Sequence, residues 1–268
     1  MTTLSFFQVD AFTDMPLKGN PAAICLLDSE LSGELMQEIA RENNLAETAF
    51  VLPVEDGFNL RWFTPTVEIN LCGHATLASA HVLWERGILS PGQTANFYTK
   101  SGLLTVTKSD DWIQLNFPRF GLTITEIPGE IISALAVTPI NTVCASDGRF
   151  IIEVAKENEV RLLKPDFSIL RNYEVAVVTS RAEGSSGYDF ISRTFTALYG
   201  VDEDPVTGSS HCALAPYWAE KLNKNSLSAF QASARGGALK LQVVGERVLI
   251  EGKAVTVIEG VFKLKTTV

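Results

Sequence analysis

Histidine is scarce in this sequence: His74, His81 and His211 are the only three in 268 residues, and they show no ligand spacing. A catalytic metal built on neighbouring histidines is therefore disfavoured, and no metal is expected. Cysteine is nearly as scarce. Cys25, Cys72, Cys144 and Cys212 stand far apart with no C-x-x-C pair, which speaks against structural zinc and reads as the reduced thiols of a cytoplasmic protein. No cluster of positive charge stands out, and the net charge is −9, so nucleic acid and anionic membrane are poor partners. An acidic chain can still bind a small acid wherever local donors converge. No apolar run approaches the about 20 residues that span a bilayer. The opening Met1–Phe6 lacks the basic-then-apolar order of a signal peptide. G-x-S-x-G is missing too, which removes the nucleophile elbow of the common serine hydrolases.

What is present is a large apolar fraction, 46% with 15 Phe, enough for the cores of two ordinary domains. Two stretches look like copies of each other. One is Leu71-Cys72-Gly73-His74-Ala75-Thr76, followed by an apolar segment ending in Glu85-Arg86. The other is Val206-Thr207-Gly208-Ser209-Ser210-His211, whose segment ends in Glu220-Lys221. With Gly73 set on Gly208, Ala78 falls on Ala213, Ala80 on Ala215 and Glu85 on Glu220. The offset is close to half the chain. Upstream, Arg61-Trp62-Phe63-Thr64 echoes Arg193-Thr194-Phe195-Thr196. The repeat predicts two halves of similar build, each with one mostly apolar helix that starts at a glycine. Such a start carries unpartnered N–H groups and about half a positive charge, and a glycine lets a ligand approach the backbone. Two such starts aimed at one cleft would hold a carboxylate. The simpler reading is two buried helices with small first residues.

In chain order, the pattern predicts strands over 4–11 and 22–27, then a helix over 33–43 capped by Ser32. A strand over 44–52 ends at Pro53, and Glu47 shares a face with Ala49 and Val51. A carboxylate on an otherwise apolar face is the first unusual residue. Further strands fall at 59–63, 97–98, 102–108 and 113–117, around a central helix over 74–86 that stops at Gly87. The second half reads as a helix over 129–135 and strands at 142–144, 150–154, 173–179 and 189–194. An acidic loop over 200–205 precedes the second central helix, over 208–223, with a kink expected at Pro216. Three strands close the chain, at 238–244, 247–252 and 254–264.

Four motifs in order closely resemble the phenazine biosynthesis PhzF-like family. They are Phe7-Gln8-Val9-Asp10-Ala11-Phe12-Thr13 with Gly19-Asn20-Pro21-Ala22-Ala23, then Glu47-Thr48-Ala49-Phe50-Val51, Cys72-Gly73-His74-Ala75-Thr76, and Asp204-Pro205-Val206-Thr207-Gly208-Ser209. The resemblance implies an α+β protein with the diaminopimelate epimerase-like fold. It would have two pseudo-symmetric domains, each a curled, mostly antiparallel sheet around one central helix, with the active site in the cleft between them. The domains are expected at 1–118 and 119–268, with the last strand, about 256–268, open to returning to the first. The resemblance also implies a homodimer, no cofactor, and an isomerase that moves a proton near a carboxylate. In the phenazine enzyme the reaction is isomerisation of a dihydro-hydroxyanthranilic acid. Glu47 is then the acid/base, assisted by His74, Asp204 and Ser209, while Gly73 and Gly208 offer backbone N–H groups to a small carboxylic acid.

Each residue also has a plainer reading. Glu47 could be satisfied by backbone donors or an arginine. His74 could be a cap or a core histidine; as a catalytic group its protonated form should be disfavoured by the helix dipole. Asp204 could belong to a solvated acidic loop with Asp202 and Glu203, although its place four residues before Gly208 argues that it reaches the helix start. Ser209 could be a simple first-turn residue, and His81 and His211 read as structural. One departure matters. The two-base epimerases of this fold use a cysteine from each half, but here Asp204-Pro205-Val206-Thr207 precedes Gly208 with none. Cys72 is therefore not expected to be an essential base. The rivals are a non-catalytic binding protein that keeps the cleft and a Ser/Cys hydrolase. The hydrolase is disfavoured because the side chains of sequence neighbours such as Cys72 and His74 should diverge.

Overall fold

The computed structural model describes residues 2–264 and divides into two units. Unit 1 holds the residues up to Asn116 and from Glu251 on; unit 2 is Phe117–Ile250. Unit 1 runs β1 (Thr2–Ala11), β2 (Asn20–Leu26), α1 (Gly33–Asn43), β3 (Glu47–Val54), β4 (Gly57–Phe63), β5 (Glu68–Ile69), α2 (Gly73–Glu85), β6 (Ala95–Thr99), β7 (Gly102–Ser109) and β8 (Trp112–Pro118). Unit 2 runs β9 (Leu122–Ile124), α3 (Gly129–Leu135), β10 (Asn141–Ala145), β11 (Phe150–Glu153), α4 (Glu157–Arg161), α5 (Phe167–Leu170), β12 (Ala176–Arg181) and β13 (Phe190–Thr196). It continues with β14 (Val201–Asp204), α6 (Gly208–Leu222), β15 (Ser226–Gln231), β16 (Gly237–Val244) and β17 (Arg247–Gly252). β18 (Ala254–Leu264) returns to unit 1 and pairs along β1.

The two units repeat one topology. In unit 1 the sheet order is β18-β1-β2-β3-β4-β6-β7 and the pairings run antiparallel, antiparallel, parallel, antiparallel, parallel, antiparallel. In unit 2 the order β9-β10-β11-β12-β13-β15-β16 has the same six pairings in the same sequence. A parallel pair needs a long crossover, usually helical. Here α2 is the crossover from β4 to β6, and α6 the crossover from β13 to β15. The expected mixed, mostly antiparallel sheet around one helix is thus present twice.

Burial explains why each helix sits where it does. In α2 nine of the residues between His74 and Leu83 are buried, and a helix apolar all round must be covered on every side. The strands against it are correspondingly buried on both faces: in β2, Cys25 packs with Met36, Ile39 and Ala40 of α1, while the alternate residues turn towards α2. Unit 2 does the same, with α3, α4 and α5 covering Ile152, Val178, Ile191 and Phe195. On its α6 side Trp218 stacks on Phe190 at 5.7 Å and donates Nε1–H to Thr179 Oγ1 at 3.0 Å.

The echo of Arg61 in Arg193 is geometric as well as textual. Arg61 grips Glu68 through Nε and Nη2 at 2.8 and 2.9 Å; Arg193 grips Glu203 through the same atoms at 2.7 and 2.8 Å. Each guanidinium also lies 5.2 Å from a ring two residues on, Phe63 or Phe195. The span read as an acidic loop is therefore strand β14, whose Glu203 is neutralised by Arg193. Pro53 does not end β3, which continues to Val54. The short elements β5, β9, α4 and α5, and strand β15, were not expected from the pattern. Among the described residues no helix is long and apolar enough to cross a membrane.

Candidate active site

The start of α2 gathers the chemistry of unit 1. Cys72 takes the N-cap position with extended backbone (φ −144°, ψ 113°), and His74 is the second residue of the helix. Glu47 opens β3, in register with Ala22 of β2. His74 Nε2 lies 3.1 Å from Glu47 Oε2. The contact is not aligned as a hydrogen bond, and both atoms are buried with no hydrogen-bond partner. On the other side of the ring, Nδ1 lies 3.2 Å from Asn20 Nδ2 and 3.6 Å from Cys72 Sγ. Buried polar atoms are seldom left unmatched. Two of them, face to face at a helix start, are suited to meet the polar groups of a ligand.

Protonation follows from this geometry. Burial pushes the His74 imidazolium down, but the Cys72 sulfur and the Glu47 carboxylate outweigh it and raise the pKa well above 6.5. The Cys72 thiol is itself pushed up, by burial first and by Glu47 second. The direction is opposite to the expectation of a neutral His74: the groups at contact distance favour the imidazolium more than the partial charge of a helix end disfavours it. The divergence expected of Cys72 and His74 is corrected too. The extended N-cap followed by helical residues brings i and i+2 to one side.

Glu47, Cys72 and His74 present ligand atoms within 4.8 Å of one another. The imidazole turns Nε2 to Glu47 and Nδ1 to Cys72, so proton-holding atoms stand on both sides of the ring.

Unit 2 builds a different start for α6. Asp204 Oδ2 accepts from Thr207 Oγ1 at 2.6 Å, so Asp204 does reach the helix start, by holding its N-cap residue. Gln231 clamps the same turn, accepting from the Thr207 N–H at 2.9 Å and donating to the Asp204 carbonyl at 2.7 Å. Gly208 is the buried first residue of the helix. Behind it, buried Arg149 donates to Ser210 Oγ at 2.7 Å and to Ser209 Oγ at 3.4 Å, while Asp147 pairs with the guanidinium. Arg149, Gln231 and Asn20 have no role in the reading from sequence. Each lies 24 or more residues from its partner in the chain, and only the position of Asn20 inside a motif could have signalled it.

The other histidines serve the fold. His81 meets Thr256 Oγ1 at 3.2 Å. His211, fully buried, donates Nδ1–H to the Thr207 carbonyl at 2.8 Å and stacks on Phe190. Burial lowers its pKa from 6.5 to about 4. The unfolded chain therefore binds a proton that the fold excludes as the pH falls below 6.5. Stability from this group is full above pH 6.5 and lost by about pH 4, at most about 3 kcal/mol. His211→Asn keeps the Nδ1–H donor and removes the titration. Urea unfolding at pH 7 and pH 4.5 should show a smaller acid loss in His211→Asn than in the wild type; equal losses would mean that His211 does not titrate this way.

Comparison with known proteins follows the same order, fold first. A hydroxyproline epimerase of Agrobacterium vitis, 15% identical, superposes with a TM-score of 0.58 over 98% of this chain and 91% of that one, which places the chain in the epimerase-like α+β class. A PhzF family protein of Enterococcus faecalis, 39% identical, superposes with a TM-score of 0.93 over 98% of this chain and 100% of that one. An uncharacterized isomerase of Halalkalibacterium halodurans is 49% identical over 96% of this chain and 98% of its own. The family model "Phenazine biosynthesis-like protein" matches residues 9–260. The chain belongs to the PhzC-PhzF family.

Proposed function

We propose that this protein is a cofactor-independent isomerase that moves a proton on a small carboxylic acid, with Glu47 as the general acid/base. The observation that carries the reading is the buried contact between Glu47 Oε2 and His74 Nε2, 3.1 Å apart at the start of α2, with no aligned hydrogen bond at either atom. A carboxylate can take a proton from carbon and return it to a neighbouring position, and an imidazolium beside it stabilises the charge that develops on the substrate. Gly73 of unit 1 and Gly208 and Ser209 of unit 2 are the proposed substrate-binding residues. Asp204 assists through the turn that it holds. The resemblance adds a cytoplasmic homodimer, which size-exclusion chromatography with light scattering would test. The first experiment is a thermal-shift screen of small carboxylic acids, followed by NMR of each hit in D₂O. Deuterium entering a carbon position supports an isomerase; ligands that bind without exchange support the rival, a binding protein.

The convergence of Cys72 on His74 is the observation that favours a hydrolase instead. Nucleophilic cysteines act as thiolates, whereas burial and Glu47 hold this thiol protonated. Cys72→Ala should therefore keep most of the deuterium exchange. A loss as large as that of Glu47→Gln would make the thiol essential and reverse this choice.

A further inference from the structure

We infer that Asn20 is the positioning residue that holds the His74 ring with Nε2 towards Glu47. The inference rests on the reading of Glu47 and His74 as acid and base, and extends it to a residue with no role so far. Asn20 is fully buried and its side-chain amide lies 3.2 Å from His74 Nδ1, the nitrogen that Glu47 does not face. An amide suits either state of the ring. Its NH₂ faces Nδ1 and donates to the neutral ring; turned over, the amide presents its oxygen to Nδ1–H of the imidazolium. The titratable groups facing the ring are Glu47 from β3 and Cys72 from the turn before α2. Asn20 is the uncharged third contact, able to stay bonded while a proton comes and goes.

The surrounding sequence is spent on placing this one side chain. Gly19 has φ +63°, and a Cβ there would sit 2.1 Å from the Ala11 carbonyl oxygen. Asp10 Oδ2 accepts from the Leu17 N–H at 2.7 Å and ties down the loop that leads to Gly19. Pro21 follows, paired with Asp10, and a residue before proline is confined to extended backbone. Asn20 pairs with Ala11 in the same ladder. Its backbone is thus held from both sides, which leaves little freedom for an amide that points at a ring from another element.

Three histidines make the test direct. In ¹⁵N-labelled protein each ring can be followed through a pH titration, with His74 assigned by His74→Gln. Asn20→Ala removes the NH₂ that donates to Nδ1 of the neutral ring and should raise the His74 midpoint by about one pH unit. Asn20→Asp removes the same donor, adds a negative acceptor and should raise it further. His81 and His211 should not move in either variant, which a general loosening of the core would not respect. Should the variants fail to fold, the wild type still decides: the Asn20 side-chain amide signals should shift with the His74 midpoint. An unchanged His74 titration in folded variants, or an Asn20 amide silent through that titration, overturns the assignment. None of these readouts needs a substrate. Failure of Glu47→Gln to stop deuterium exchange would remove the proposed base and leave the Asn20 result standing.

Discussion

Glu47→Gln should lower deuterium incorporation into a substrate by about 10²–10⁴-fold, the usual contribution of a positioned general base. Gln keeps the shape and hydrogen-bonding capacity of the side chain but cannot take a proton from carbon. Substrate affinity, measured by calorimetry, should change little, because the lost interaction belongs to the transition state rather than to the bound ground state. Two further readouts follow from the geometry. Glu47 is one of the two groups that raise the pKa of His74, with Cys72, so Glu47→Gln should also bring the His74 midpoint down. The stability that His74 contributes by its raised pKa is present below pH 6.5 and lost as the pH rises through the folded value; in Glu47→Gln this loss should shift to lower pH. Exchange at the wild-type rate in the variant would mean that Glu47 is not the base, and His74 or Asp204 would inherit the role. A defect confined to affinity would make Glu47 an orienting group.

Gly19→Ala should cost about 3 kcal/mol, the sum of a left-handed conformation for a residue with a Cβ, about 1 kcal/mol, and the overpacking of a tight site, about 1–3 kcal/mol. For a chain of this size that is a fall in Tm of about 6–12 °C. Gly87→Ala is the control. Gly87 has φ +67° but nothing within 4 Å of the new Cβ, so only the conformational cost of about 1 kcal/mol applies. The contrast isolates the close approach of Thr13 Cγ2 and of the Ala11 carbonyl oxygen, of which the second is backbone and cannot swing away. Because Gly19 precedes Asn20, the variant should also disturb the His74 titration, whereas Gly87→Ala should not. Equal losses in the two variants would show that the loop gives way without strain.

Local chemistry made much of this protein legible. Ser32 was read as an N-cap and accepts from the Leu35 N–H. The two glycines that open α2 and α6 were visible because the segments behind them are apolar all round, a pattern that only a covered helix satisfies. The echo of Arg61 in Arg193 pointed to a repeat that now extends to the sheet pairings. The elements that escaped are short. α4 has five residues and α5 four, too few to display a period, and β5 has two. Their existence follows from the neighbours they pair with or cover.

The site divides in the same way. Glu47 stood out by itself, as a carboxylate on an apolar strand face, and His74 by its place after the repeated glycine. The internal repeat marked Gly73 and Gly208, and family resemblance carried Asp204 and Ser209. Tertiary structure decided which side chains meet: Asn20 with His74 across 54 positions, Gln231 with Thr207 across 24 and Arg149 with Ser210 across 61. It also decided the charge on His74. The dipole of its own helix, which the sequence predicts, favours the neutral ring. The carboxylate beside it comes from a different strand, at a distance that only folding sets, and Coulomb energy at contact distance exceeds the field of a helix end. Helix starts, caps and strand faces are encoded within a few residues. Partners and protonation states depend on distances between elements, and the chain acquires those only when its sheets and helices pack.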